Sequence, residues 1–105
     1  MGFRIWLSFD LGIDGNYSDL YAFLDDKGAK ECGESLATMV LPSRADLDRF
    51  ITEIKKRTKP RKTDRLYVVY AKENGGVTGK FIHGARKRSP WAGYSNGVEE
   101  DDTDE

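Results

Sequence analysis

Two segments of the chain each carry a single apolar stripe at helical spacing, and this feature limits the fold more than any other. The first segment begins after a capping residue at Asn16 or Ser18 and stops at Gly28. The second begins after Pro42, with Ser43 as its capping residue. The stripes recur at i, i+3, i+4 and i+7, with Tyr17, Leu20, Tyr21 and Leu24 in the first and Leu47, Phe50, Ile51 and Ile54 in the second. Because each helix has one apolar side, both are predicted to cover the same face of one sheet.

Strands are predicted where apolar and other residues alternate. From Phe3 to Asp10 the odd-numbered residues are apolar, the pattern of a half-buried strand. Further strands are predicted at Lys30–Cys32, Leu36–Leu41, Arg65–Lys72 and Lys80–Arg86. The resulting order, β-α-β-(β)-α-β-β, predicts a ferredoxin-like α+β sandwich, with an antiparallel sheet, two helices on one face and an extra C-terminal strand.

The sheet face opposite the helices is predicted to carry aromatic side chains. The alternation places Trp6 and Tyr67 on this face. A domain of this size has too few residues to cover both faces of a sheet, and exposed apolar surface marks interaction sites. We therefore predict a homodimer with Trp6 and Tyr67 in its interface.

Length and composition exclude several classes of protein. The chain has 105 residues, which fits a single domain over residues 1–98. It has neither an apolar run of membrane-spanning length nor the pattern of a secretory signal, so we expect a cytoplasmic protein that binds no membrane. With one cysteine, Cys32, and one histidine, His83, the chain can form neither an internal disulfide nor a Cys/His zinc site by itself. As nucleophile and base, the two would lack an orienting third group, and a buried thiol explains Cys32 equally well.

The net charge of −1 conceals three blocks of opposite sign. Residues 1–43 carry 3 basic and 7 acidic side chains, residues 44–98 carry 14 and 5, and residues 99–105 carry 6 acidic ones. The acidic tail has almost nothing apolar to bury and is predicted to be disordered. Its role stays open between competing for the basic block, binding a partner's basic groove, and keeping the domain in solution.

The basic block is a candidate nucleic-acid surface. Its clustered cations are Lys55, Lys56, Arg57, Lys59, Arg61, Lys62, Arg86, Lys87 and Arg88. Such side chains contact phosphates, while the rings of Trp91 and Tyr94 could stack on unpaired bases. The alternative is a solvated helix end and loop, with Trp91 anchoring the C-terminal segment to the sheet or to a second subunit.

Two aspartates near the end of the first strand form a candidate metal site. Asp10 and Asp14 offer the carboxylate oxygens that Mg²⁺ prefers, and a twofold dimer would double their number. A calcium-binding loop starting at Asp10 is excluded, because its twelfth position is Tyr21 instead of glutamate. The alternative is that Asp10 ends the strand and Asp14 forms a turn.

Short segments of the chain resemble a known group of small proteins. They are Ser8–Asp10, Glu34–Leu41 running into Ser43–Leu47, and Asp64–Val69 after a basic helix end. Over residues 3–71 the chain resembles the small ferredoxin-fold group that includes VapD-like ribonucleases, the dimeric CRISPR adaptation subunit and the antitoxin GhoS. The resemblance implies a homodimer, RNA or double-stranded substrates and, in nuclease members, a metal-binding aspartate at the position of Asp10. The loop Leu11–Asn16 lacks the basic residues usual in those nucleases.

Two functions of different class follow. The first is a dimeric, nucleic-acid-associated protein of toxin–antitoxin or CRISPR-adaptation type that binds RNA or DNA; a metal-dependent ribonuclease of this type would use Asp10 as its catalytic residue and Mg²⁺ as its cofactor. The second is a non-enzymatic interaction protein, such as an antitoxin or a phage-borne inhibitor. It would bind a nucleic-acid-processing protein through its sheet face and acidic tail.

Overall fold

The computed structural model describes residues 2–96, in which five strands form one antiparallel sheet. The elements are β1 (Phe3–Asp10), α1 (Tyr17–Asp26), β2 (Lys30–Glu31), β3 (Leu36–Leu41), α2 (Leu47–Thr58), β4 (Arg65–Ala71) and β5 (Val77–His83). The strand order across the sheet is β2-β3-β1-β4-β5. Each helix therefore joins two strands that have a third strand between them, which is the split β-α-β arrangement of ferredoxin-like folds. The predicted α+β fold class is confirmed, and β5 is the extra C-terminal strand.

The core lies between one sheet face and the two helices. The odd-numbered residues of β1, Phe3 to Phe9, are at most 8% exposed, because the period of a strand aims all of them at the helices. In the ladders of β1, Leu7 pairs with Ala37 of β3 and with Val68 of β4, both of which are buried. The helices complete the core with Leu20, Phe23, Leu24, Leu47, Phe50 and Ile54.

Both helices differ in detail from the predicted patterns. In α1, Phe23 is fully buried against Phe50, at 5.5 Å between ring centroids, whereas Tyr21 is 54% exposed. Tyrosine suits the margin of an apolar stripe, because its ring packs while its hydroxyl stays in water. A 3₁₀ turn at Arg44–Asp46 precedes α2. The Ser43 hydroxyl donates to the Asp46 carboxylate at 3.0 Å and accepts no hydrogen bond from a backbone amide, so the predicted side-chain cap at Ser43 is not formed.

The last strand begins and ends three residues earlier than its predicted range of Lys80–Arg86. A turn closed by the Lys72 amide, which donates to the Gly76 carbonyl at 2.7 Å, precedes β5. Gly79 lies within this strand, and glycine obscured the strand pattern because it has low strand propensity. The absence of a side chain is required here. A Cβ atom at residue 79 would lie 2.6 Å from the Tyr67 ring and would clash with it.

The predicted acidic tail at residues 99–105 and the predicted domain boundary at residue 98 lie outside the described residues. Within residues 2–96, no helix combines the length and the apolar character needed to cross a membrane.

Candidate nucleic-acid interface

The end of the sheet where β1 finishes brings together distant parts of the chain. Asp10, the last residue of β1, pairs in the ladder with Arg65, the first residue of β4. Both side chains belong to the outer face, the sheet face that points away from the helices. Nη2 of Arg65 lies 3.1 Å from Oδ2 of Asp10, and the Asp10 side chain is 64% exposed. An ion pair this exposed adds little stability, so these charges remain available for other contacts.

A hollow of about 240 Å³ opens on the outer face beside this ion pair. The rings of Tyr67 and Phe81 form an edge-to-face pair in it, with centroids 4.7 Å apart. The guanidinium of Arg86 lies 5.9 Å from the centroid of the Phe81 ring. We call this surface the aromatic hollow, and its lining residues are Ser8, Asp10, Arg65, Tyr67, Phe81 and Arg86.

A second depression of about 680 Å³ adjoins the aromatic hollow at Asp10, which lines both. It lies between the β1–α1 loop, the α2–β4 loop and the segment after β5. We call it the basic groove, and its charged lining residues are Asp10, Asp14, Arg61, Lys62 and Lys87. The α2–β4 loop and the segment after β5 thus contribute three cations to the groove, and the end of β1 with the loop after it contributes two carboxylates.

Asp64 holds the two loops of the basic groove together. Its side chain is 2% exposed, and its two carboxylate oxygens accept hydrogen bonds from the backbone amides of Gly12, at 2.6 Å, and Arg61, at 2.7 Å. Burial raises the pKa of Asp64, but the hydrogen bonds from Arg61 and Gly12 outweigh it and leave the pKa below its ordinary value. Nε2 of His83 donates to the Arg61 carbonyl at 2.9 Å on the other side of the same loop. The carboxylate therefore ties the β1–α1 loop to the α2–β4 loop, and both loops line the groove.

Four of the predicted nucleic-acid-binding cations line these two surfaces. Arg86 lines the aromatic hollow, and Arg61, Lys62 and Lys87 line the basic groove. They come from two segments that are about 25 residues apart in the sequence, and the fold brings them to one end of the sheet.

The predicted cations of α2 lie in the helix layer instead. Lys55 and Lys56 are exposed on α2, and Arg57 pairs with Asp26 of α1 at 3.1 Å. Lys59 follows the helix in the left-handed conformation, with φ of 47°. None of these four lysine and arginine side chains lines the aromatic hollow or the basic groove.

The predicted aromatic contacts of the C-terminal segment are exposed. Trp91 is 72% and Tyr94 is 77% exposed, and they follow Arg88 in the segment after β5. Most of the Trp91 ring is therefore in solvent, so within this chain the residue does not anchor the segment to the sheet.

Asp10 and Asp14 both line the basic groove, as the predicted metal site requires. Asp10 is also paired with Arg65, and in the described part of the chain no three His, Cys, Asp or Glu side chains cluster in a way that could hold a metal ion. Two carboxylates would leave most of the octahedral positions around Mg²⁺ to water or to a second copy of the chain. The magnesium site, with Asp10 as its catalytic residue, stays a prediction.

The predicted interface residues Trp6 and Tyr67 both belong to the outer face, and both are half-buried. Tyr67 packs against Phe81 and over Gly79. Trp6 pairs with Val69 in the ladder between β1 and β4. Tyr67 therefore contributes to the aromatic hollow, whereas Trp6 lies further along β1 and does not line it.

Cys32 and His83 lie at opposite edges of the sheet and cannot act as nucleophile and base together. Cys32 follows the edge strand β2, and His83 ends the other edge strand, β5. Four strand spacings separate these edges, a distance of roughly 19 Å. Cys32 is also exposed, which corrects the alternative of a buried thiol.

The structure adds three residues that the sequence did not indicate as part of the site, namely Ser8, Arg65 and Phe81. The alternation of β1 and β4 could have placed Ser8 and Arg65 on the outer face. Their meeting at one hollow depends on the register between strands. Phe81 also lies within the predicted last strand, but the sequence does not show that its ring meets Tyr67, because that contact depends on how β5 pairs with β4.

Comparisons of the chain with protein-family models, with curated proteins and with solved structures find no match. The relation to the VapD-like, CRISPR-adaptation and GhoS group therefore stays a hypothesis.

Proposed function

We propose that this protein binds single-stranded nucleic acid across the aromatic hollow and the basic groove. The observation that carries the proposal is that the two surfaces meet at Asp10. One offers the rings of Tyr67 and Phe81, and the other offers three cations. Rings on which bases stack, next to cations that follow the phosphates, are the combination that single-strand binding uses.

The arrangement favours an unpaired strand over a duplex. A base within a duplex has both faces covered by its neighbours, so only an unpaired base can present a face to Phe81 in the hollow. Stacking of one base on an aromatic side chain contributes about 1–3 kcal/mol. The cations of the groove add a contribution that weakens as salt rises, because phosphate binding releases counterions.

The salt dependence of binding tests this proposal. A labelled single-stranded oligonucleotide is titrated with the full chain and followed by fluorescence anisotropy at several salt concentrations. The double variant Lys62→Ala/Lys87→Ala removes two cations of the groove and should flatten the slope of log K against log salt by roughly 1.4. The matched variant Lys55→Ala/Lys56→Ala removes the same charge from α2 and should leave most of that slope. Equal losses in both variants would indicate diffuse attraction and would contradict a site at the groove.

A metal-dependent ribonuclease of toxin–antitoxin or CRISPR-adaptation type is a second candidate. It is favoured by the presence of Asp10 and Asp14 in the same groove as three phosphate-binding cations. With Mg²⁺ present, Asp10→Asn should abolish cleavage of RNA while the circular dichroism spectrum stays unchanged. Cleavage that survives both this substitution and a chelator would rule out the mechanism.

A further inference from the structure

We propose that the aromatic hollow selects guanine among the bases of a bound strand. This inference rests on the proposed binding of single-stranded nucleic acid and adds a base preference to it. Its basis is the pair formed by Asp10 and Arg65, a hydrogen-bond acceptor and a hydrogen-bond donor side by side in the lining of the hollow.

The Asp10 carboxylate has capacity for further hydrogen bonds. An ionised carboxylate has about four acceptor positions. Among the described residues, the Asp10 carboxylate is paired only with Nη2 of Arg65. Its side chain is 64% exposed, so a ligand in the hollow can reach it. Carboxylates are acceptors only, and they therefore select for ligand edges that carry N–H groups.

Guanine matches this pair better than the other bases. Its Watson–Crick edge carries two adjacent N–H donors, at N1 and N2, followed by the acceptor O6. The donors can bind both oxygens of Asp10, and O6 can accept from the guanidinium of Arg65. Adenine, cytosine and uracil each have a single donor position on that edge, so none of them can bind both carboxylate oxygens. Stacking on the rings of the hollow does not distinguish one base from another. The preference for guanine therefore comes from the Asp10–Arg65 ion pair.

Arg65 has a donor that the protein does not use. Its Nε atom is buried and has no hydrogen-bond partner among the described residues. A buried donor without an acceptor is unfavourable and is uncommon in folded proteins. The guanidinium is therefore only partly satisfied within the protein. Because Nε itself is buried, a ligand in the hollow would accept from the terminal Nη atoms, one of which is paired with Asp10.

Oligouridine probes with one central substitution test the inference by fluorescence anisotropy. We expect the probe with a central guanosine to bind at least about fivefold more tightly than the probe with adenosine. An inosine probe lacks the N2 amino group and should lose most of this advantage. Guanosine and adenosine probes of equal affinity would overturn the inference and leave the proposed function intact, whereas a chain that binds no probe would contradict the proposed function itself.

Two variants assign the preference to Asp10. In Asp10→Ala the affinity ratio between the guanosine and adenosine probes should fall to near one. The guanosine probe loses its hydrogen bonds to the carboxylate, while the adenosine probe binds slightly more tightly because a negative charge is removed. Glu73→Ala removes one negative charge from the β4–β5 turn, away from the hollow, and should keep the wild-type ratio. A preference that survives Asp10→Ala, in a variant with an unchanged circular dichroism spectrum, would overturn the assignment.

Discussion

The two faces of β1 are built from alternate residues of one strand, yet their surroundings differ completely. The inner residues, which are the odd-numbered ones from Phe3 to Phe9, are buried in the core beneath the two helices. The outer residues, which are exposed or half-buried, are Arg4, Trp6, Ser8 and Asp10. Residues that stabilise the fold and residues that carry the chemistry thus alternate along the same strand. A substitution on one face should therefore change folding, and a substitution one residue away should change binding.

The largest expected difference between the faces is in stability. Leu7 is fully buried, and Leu7→Ala should lower the free energy of unfolding by about 2–5 kcal/mol, because it leaves a cavity in the core. The neighbouring Ser8→Ala lies on the outer face and should change it by no more than about 0.5 kcal/mol. Urea denaturation of both variants measures this difference. Similar losses in the two would mean that the outer face is covered in solution.

A smaller loss is expected from the carboxylate that joins the two loops of the groove. Asp64→Asn keeps one acceptor oxygen but turns an amide N–H₂ towards the second backbone donor, at Gly12 or Arg61. The free energy of unfolding should fall by about 1–3 kcal/mol in urea denaturation. Asp14→Asn, an exposed aspartate in the same groove, is the control and should have almost no effect. Equal stability of the two variants would argue against the role assigned to Asp64.

The same carboxylate predicts how stability depends on pH. Because the pKa of Asp64 is lower in the folded chain than its ordinary value of 3.8, its ionised form stabilises the fold at every pH above that value. This contribution is lost as the pH falls below 3.8 and through the folded pKa. Unfolding measured from neutral to strongly acidic pH should show a steeper loss for the wild type than for Asp64→Asn. Parallel curves would show that other carboxylates dominate acid unfolding.

The outer face also leads to the proposal of a homodimer. Of the two predicted interface residues, Trp6 presents apolar surface further along β1 than the aromatic hollow that Tyr67 lines, and burial of the Trp6 surface between two copies would stabilise an assembly while leaving the hollow open. Light scattering at micromolar concentration should give twice the chain mass of 11.9 kDa. Trp6→Ser should shift the mass towards the monomer. Because Trp6 does not line the aromatic hollow, this substitution tests the dimer without altering the hollow. A monomeric wild type would remove the dimer and, with it, the symmetric metal site.

The smallest effect is expected from the acidic tail. Deleting residues 99–105 removes six negative charges that can compete with phosphates for the basic groove. Binding of a single-stranded oligonucleotide should become several-fold tighter at low salt, and the gain should shrink as salt screens both interactions. If the chain is instead a non-enzymatic inhibitor, the same deletion should weaken its binding to a nucleic-acid-processing partner. No change in either would leave the tail with a role in solubility alone.

Local patterns predicted the elements of this fold well and their mutual positions less well. The faces of β1 and the stripe of α2 follow from the periods of strands and helices, which every residue of an element shares. β5 was misplaced because Gly79 has no side chain to contribute to such a pattern. Asp64 looks like a loop residue in the sequence, since nothing local indicates that two distant amides point at it.

The candidate site could be predicted only as separate residues. Asp10, Arg61, Lys62, Arg86 and Lys87 were each identified from charge or strand position. Their assembly depends on the register between β1 and β4, which pairs Asp10 with Arg65, 55 positions later in the chain. Register is set by the whole hydrophobic pattern of both strands together with the connections between them, so no local segment of the sequence contains it.

The way in which Asp64 holds its loops has a consequence for how this surface can evolve. Both donors to its carboxylate are backbone amides, at Gly12 and Arg61, so the shape of the groove does not depend on the side chain at residue 61. Arg61 and its neighbour Lys62 can therefore be replaced by uncharged polar residues without loss of the hydrogen bonds that join the loops. These two hydrogen bonds hold the loops without a ligand, so binding should lose less conformational entropy. The groove can therefore change the class of ligand it accepts while keeping a rigid frame.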